Sequence, residues 1–278
     1  MIAFRKVVTI IFLMALPAMA VACQANPAEL PEATFVGTEY AYTGPESIDS
    51  GWTRVTLDNQ GDLAHDLILL RLLEGKTVDD VTAMLADEGA PPSWIDVKGG
   101  ASAEPGSSVS FVSNLEAGNY AMFSFGSAED APPDAMQGMI GQLAVAEVIT
   151  AVDESALPEA AGTISLVDYQ FVVNGLQSGE QIVRVSNDGT ELHEAVIFRL
   201  NDGQTFADFQ TFMEAGEDAE GPPPADQISS VFLSPGNVTY STLVFEPGNY
   251  VFLCFIPSEK NDMTPHFMLG MMTEVAIN

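Results

Sequence analysis

The chain is poor in the residues that most proteins use for cross-linking and for binding polyanions. Two cysteines and three histidines occur in 278 residues, with nine Lys and Arg against 39 Asp and Glu. Two cysteines, one of them at the very start of the chain, exclude a disulfide framework. The formal charge of −30 excludes nucleic-acid binding, which depends on basic side chains neutralising phosphates. Such a surface suits a basic partner or steers cations inward, and it keeps an exported protein solvated in salt. Long apolar runs are also scarce. After the first segment, nothing approaches the roughly 20 apolar residues needed to cross a bilayer. No Ser-His-Asp spacing suggests a nucleophile.

The N-terminus breaks the pattern. Arg5 and Lys6 precede an apolar run from Val7 to Leu16, followed by Ala18, Ala20 and Ala22. That order predicts a secretory signal over residues 1–22. Ala20-Val21-Ala22-Cys23 resembles a bacterial lipobox, which would lipidate Cys23 and leave residues 23–33 as a tether. Cleavage within Ala18-Met19-Ala20 would instead release the protein. Either route leaves Cys254 as the single internal thiol, in a compartment where a free thiol oxidises unless it is buried or metal-bound.

Next, the chain repeats itself. Asn59-Gln60-Gly61 before His65 matches Asn187-Asp188-Gly189 before His193, and apolar runs ending in Arg71-Leu72 and Arg199-Leu200 follow. Glu116-Ala117-Gly118-Asn119-Tyr120 matches Glu246-Pro247-Gly248-Asn249-Tyr250. Pro133 through Met139 matches Pro265 through Met271, and the offset drifts only from 128 to 132. Matched blocks in one order at nearly one offset identify a duplication. The expected units are a domain over 34–149, a polar, Pro-containing linker over 150–162 and a second domain over 163–278.

Local signals are mostly β. Thr53 to Leu57 and Gln181 to Val185 alternate apolar and polar residues, and Gly-containing turns separate the short strands. One helix per copy is expected where Thr77 with Asp80, and Thr205 with Asp208, form capping boxes ahead of apolar residues at helical spacing. The fold class is therefore all-β: two tandem sandwiches, each with one inserted short helix.

The second copy carries a distinctive donor set. A turn delivers His193 to the start of an apolar strand, a second strand ends in Cys254, and a loop leads to His266 and then Met271. One thiolate, two imidazoles and a weak thioether are the ligand types of blue copper. Asn-x5-His, Gly-x-Tyr-x3-Cys and His-x4-Met here resemble the cupredoxin family, the plastocyanin- and azurin-like proteins. The resemblance implies a Greek-key sandwich in each copy and one type 1 copper, with His193, Cys254 and His266 as strong ligands and Met271 axial. Two features depart from the family pattern. Eleven residues separate Cys254 from His266, including the polar Ser258 to Asp262, and Glu194 stands where an Asn often braces the ligand loop.

In the first copy His65 and Met139 persist, but Ser124 replaces the thiol and Asp134 the second histidine. A hydroxyl cannot substitute for a thiolate, so that copy is expected to lack blue copper; a weak oxygen- and nitrogen-liganded site at His65 and Asp134 is the alternative. The implied function is single-electron transfer, with His266 as the ligand edge nearer solvent and a basic, cytochrome-like redox partner. The alternatives are copper buffering or delivery, favoured by Met263, Met268, Met271 and Met272, and a metal-free surface module. An enzyme is not expected, because three histidines cannot build an additional type 2 or trinuclear centre. The expected location is the periplasm or surface of a bacterial-type cell, lipid-anchored through Cys23.

Overall fold

The computed structural model describes residues 29–73, 75–87, 91–126, 131–148 and 154–278. The expected signal, Cys23, most of the expected tether and part of the expected linker lie outside these residues. No described helix is long and apolar enough to cross a membrane.

The first half contains β1 (Glu32–Thr38), β2 (Ala41–Thr43), β3 (Ser47–Asp49), β4 (Gly51–Asn59), β5 (His65–Leu72), α1 (Val78–Leu85), β6 (Ile95–Ala103), β7 (Ser108–Leu115), β8 (Gly118–Phe123) and β9 (Ile140–Ala146). The second contains β10 (Gly162–Val167), β11 (Gln170–Asn174), β12 (Gly179–Asn187), β13 (His193–Leu200), α2 (Phe206–Ala215), β14 (Ala225–Leu233), β15 (Val238–Phe245), β16 (Gly248–Leu253), β17 (Pro257–Ser258), β18 (Thr264–Pro265) and β19 (Met272–Ile277). In the first sandwich a β2-β1-β4-β7 layer faces β3-β9-β8-β5-β6; in the second, β11-β10-β12-β15 faces β14-β13-β16-β19. Within each, β1 runs parallel to β4 and β10 parallel to β12, while most other neighbours are antiparallel.

Alternation in the sequence places one face of each strand in a core. In β4, Thr53, Val55, Leu57 and Asn59 turn inward while their neighbours are half-exposed. Phe35, Leu57, Leu67, Phe111 and Tyr120 build the first core; Ile164, Val185, Ile197, Phe245 and Tyr250 build the second. The Glu-x-Gly-Asn-Tyr block now has its reason. Buried Tyr120 and Tyr250 each donate their hydroxyl to the carbonyl four residues upstream, Glu116 O and Glu246 O, both at 2.8 Å. Each pins the corner entering the strand that leads to the site. Both helices carry the expected reciprocal capping boxes, Thr77 with Asp80 and Thr205 with Asp208.

The two halves share one sheet. β7 pairs antiparallel with β15, and Phe111 faces Ser241. Ser241 is the position equivalent to Phe111 at the offset that relates Gly118 to Gly248, so the domains meet about a local two-fold. A buried lysine latches the junction: Lys98 Nζ lies 2.7 Å from Glu116, 2.8 Å from Asp96 and 2.9 Å from Asn237 Oδ1 of the second domain.

Candidate metal centre

The residues at one end of the second sandwich arrive there by strand chemistry. Asn187, last in β12, holds the following turn closed: its amide donates to Glu191 O at 2.9 Å and Leu233 O at 2.7 Å, and its carbonyl accepts Gly189 N at 2.9 Å. That turn sets His193 at the first position of β13. Asn59 makes the same three contacts ahead of His65. Cys254 follows the last residue of β16, and His266 opens a short 3-10 turn that ends at Gly270 with φ 115°. A residue with a Cβ is strained at that angle, so the glycine lets the chain reverse within one turn and bring Met271 back under the site. Met271 N accordingly donates to His266 O at 2.9 Å, and Cys254 N to Met271 O at 3.2 Å.

His193, Cys254, His266 and Met271 are all fully buried. The donor atoms of His193, Cys254 and His266 lie within 4.8 Å of one another. His193 Nδ1 is 3.0 Å from His266 Nδ1, and Cys254 Sγ is 3.4 Å from the same nitrogen. Met271 belongs to the same core cluster as Cys254.

Tautomers decide whether this set fits a metal. A neutral imidazole carries one N–H. His193 Nε2 faces Asp168 Oδ1 at 3.0 Å, and the nearest anionic oxygen to His266 Nε2 is Glu191 Oε2 at 3.5 Å. The His193 Nε2 proton therefore points at the Asp168 carboxylate, the arrangement that fixes metal-binding histidines, while His266 Nε2 is buried without a hydrogen-bond partner. The two Nδ1 atoms face each other beside a sulfur. The donors fit a metal ion.

The electrostatics agree. Burial lowers the basicity of His193 against the opposing pull of Asp168. Burial and the neighbouring His193 bring His266 down to about 4. Burial, reinforced by the Glu194 carboxyl, pushes the Cys254 thiol far above its ordinary value. Without metal the pocket thus holds two neutral imidazoles and a neutral thiol. A cation held by these residues would supply the positive charge needed to ionise the Cys254 sulfur. Glu194 N donates to Cys254 Sγ at 3.4 Å, one of the contacts by which a protein tunes such a thiolate.

Paired sandwiches of this strand order, with a His-Cys-His set at one end, decide the fold. It is cupredoxin-like in both halves. His193, Cys254 and His266 fit a single type 1 copper. No protein-family model matches the cupredoxin-like chain, and no curated protein sequence does. Among solved structures it is similar to an auracyanin of Roseiflexus castenholzii, at 18% identity over 43% of this chain and 99% of that one, TM-score 0.32. An azurin of Methylomonas sp. strain J matches at 19% identity over 42% of this chain and 98% of its own, TM-score 0.30. A blue copper oxidase of Nitrosomonas europaea matches at 15% identity over 90% of this chain and 86% of its own, TM-score 0.25.

Two expectations need correction. His266 is not a solvent-facing edge: it is fully buried beneath the ligand loop and Tyr169, whose ring lies 5.2 Å away edge-on. The loop is also not wholly a surface excursion. β17 and β18 fold it into a small hairpin. Although Glu259, Lys260 and Asp262 are exposed, Ser258 is buried and its hydroxyl reaches both Glu191 oxygens, at 3.1 and 3.2 Å. Tyr169 Oη donates to Glu191 at 2.7 Å, and Asn261 donates to both Tyr169 Oη at 2.7 Å and Ser258 Oγ at 3.0 Å. The added length closes a polar lid over the histidine.

Glu194 performs the bracing that its position suggested for another residue type, its Oε1 accepting Phe255 N at 2.7 Å. Asp168, Tyr169 and Glu191 escaped the sequence reading. One signal was available: Glu39-Tyr40 and Asp168-Tyr169 match at an offset of 129. Both tyrosines adopt positive φ, 61° and 63°.

In the first domain the same end of the sandwich gathers the equivalent residues. His65, Ser124, Asp134 and Met139 are all buried. His65 and Asp134, the pair considered for a weak site there, stand together: His65 Nδ1 lies 2.8 Å from Asp134 Oδ2, and Ser124 Oγ donates to the same oxygen at 2.9 Å. Among the described residues, the second-domain set is the one cluster of three potential ligands.

Proposed function

We propose that this chain is an exported single-electron carrier whose one copper is held by His193, Cys254 and His266, with Met271 on the axis. The supporting observation is the closed donor set: three ligand atoms within 4.8 Å, all buried, with the His193 imidazole oriented by Asp168. Copper supplies the reversible one-electron change. The chain's own residues keep the geometry fixed and water out, so little rearrangement accompanies transfer. The chain acts as a carrier rather than an oxidase, because the third histidine is consumed by Asp134 and leaves no ligands for another copper. The acidic surface suits a basic, cytochrome-like partner. The N-terminal signal directs the protein to the periplasm or cell surface, with Cys23 as lipid anchor.

Exposed Met263 and Met268 beside the site favour a second reading, copper delivery, since thioethers suit Cu(I). Visible absorption of the Cu(II)-loaded chain, beside Cys254→Ser, separates the two. An intense thiolate-to-copper band that vanishes in the variant supports electron transfer. A colourless protein that passes Cu(I) to a chelating acceptor supports delivery.

A further inference from the structure

A cleft of about 900 Å³ opens between the two sandwiches; none of the four ligands lines it, although their neighbours Glu194 and Phe255 do. Its walls are equivalent pieces of the two domains: Asp66 opposes Glu194, Ile68 matches Val196, and Phe125 matches Phe255. The pairing follows from the local two-fold at Phe111 and Ser241. Each wall therefore presents the residue after the site histidine and the residue after the thiol or its serine replacement.

The lining has two properties. It is apolar and aromatic: Phe125, Ile228 and Phe255, three of the exposed large apolar side chains, gather here, and Phe125 meets Phe232 of the other domain at 6.5 Å between ring centroids. It is also one-signed. Asp66, Asp87, Glu104 and Glu194 line it, with no Lys, Arg or His. Among the described residues none of these four carboxyls forms an ion pair. Asp66 is held by Ser102 Oγ, Phe125 N and Gly126 N, and Glu194 by Phe255 N, so both have hydrogen bonds but no counter-charge.

Asp87 and Glu104 are exposed at the cleft without a counter-charge, and aromatic faces attract cations. We propose that this cleft is a binding site for an amphipathic organic cation, an aromatic or alicyclic body carrying an ammonium group. The volume suits such a ligand, since small-molecule sites run to roughly 300–1,000 Å³. The apolar body lies against Phe125, Phe232 and Phe255, and the ammonium meets the carboxyls of the walls. This site is independent of the copper reading: nothing in it requires the metal.

A chain of charge −30 attracts any cation weakly, so the test must separate site from surface. Calorimetric titration of the full chain, with and without copper, would use 1-naphthylmethylammonium, the anionic 1-naphthylacetate and methylammonium. The cation should bind at least about tenfold tighter than either of the others, a difference of about 1.4 kcal/mol. Ser230→Arg, which sets a positive charge on the cleft wall, should weaken it about tenfold again; Val172→Arg, exposed on β11 away from the cleft, should not. Glu104→Gln provides a milder change of the same sign should Ser230→Arg fail to fold. Equal weakening by the wall variant and the remote arginine, or no preference for the naphthyl cation, would overturn the proposal.

Discussion

His65 Nδ1 lies 2.8 Å from Asp134 Oδ2, at the place where the second domain sets His193 Nδ1 3.0 Å from His266 Nδ1. Both tie the start of a central strand to the turn that closes the sandwich. Removing one member of a buried pair leaves the other without its partner. Asp134→Ala should therefore destabilise the first domain by about 3–5 kcal/mol, and Asp134→Asn, which keeps an acceptor for His65, by less. Denaturant titration measures both. An Asp134→Ala protein as stable as the parent would show that the pair contributes nothing.

The same equivalence makes the first domain a latent site. Ser124→Cys together with Asp134→His, beside His65 and Met139 already buried there, should raise bound copper from one to two per chain and roughly double the visible band. Elemental analysis decides it. A stoichiometry that stays at one would mean that the first-domain backbone no longer fits the metal.

The carboxylates behind the ligand histidines should matter nearly as much as the ligands. Burial opposes ionisation of Asp168, but hydrogen bonds from Thr190 and His193 prevail and hold its carboxyl well below the usual range. Asp168→Ala frees the His193 ring and should weaken copper binding roughly 10–100-fold. Competition against a chelator of known affinity reads this directly. An unchanged affinity would show that packing alone orients the ring.

The lid over His266 should control access. Tyr169 contributes both its ring and its hydroxyl, and its φ of 63° suits glycine without moving the backbone. Tyr169→Gly should speed reduction of the loaded protein by a small hydrophilic reductant several-fold in stopped-flow mixing. Rates that match the parent would place the electron's route elsewhere.

Asp66 sets a pH dependence in the first domain. Burial raises its carboxyl above the ordinary value, against hydrogen bonds from Ser102, Gly126 and Phe125. The folded state therefore holds the proton more tightly than the unfolded chain, whose carboxyl titrates near pH ~3.9. The stability contributed by this group is fully present below that value and is lost as pH rises through the folded value. Asp66→Asn should flatten the decline seen in denaturant titrations as pH rises above the unfolded value. Parallel curves for parent and variant would count against this assignment.

Much of the molecule was legible from residue order alone. The duplication, the alternation in β4 and β12 and the capping boxes all rest on local spacing, whereas the grouping of His193, Cys254 and His266 was implied by the family resemblance. Strand period and turn chemistry act over a few residues and leave marks there. Met271 entered the set through the resemblance alone, and the structure places it in the same core cluster as Cys254. What the sequence could not state is whatever depends on which loops meet in space. Asp168, Glu191 and Ser258 come from three separate segments and become one network only when the sandwich closes. The eleven-residue ligand loop looked like surface because its residues are polar, yet Ser258 spends that polarity on buried partners. The cleft is the clearest case. Its charge and its aromatics are spread over both copies, and only the two-fold pairing of β7 with β15 turns two ordinary domain faces into opposing walls.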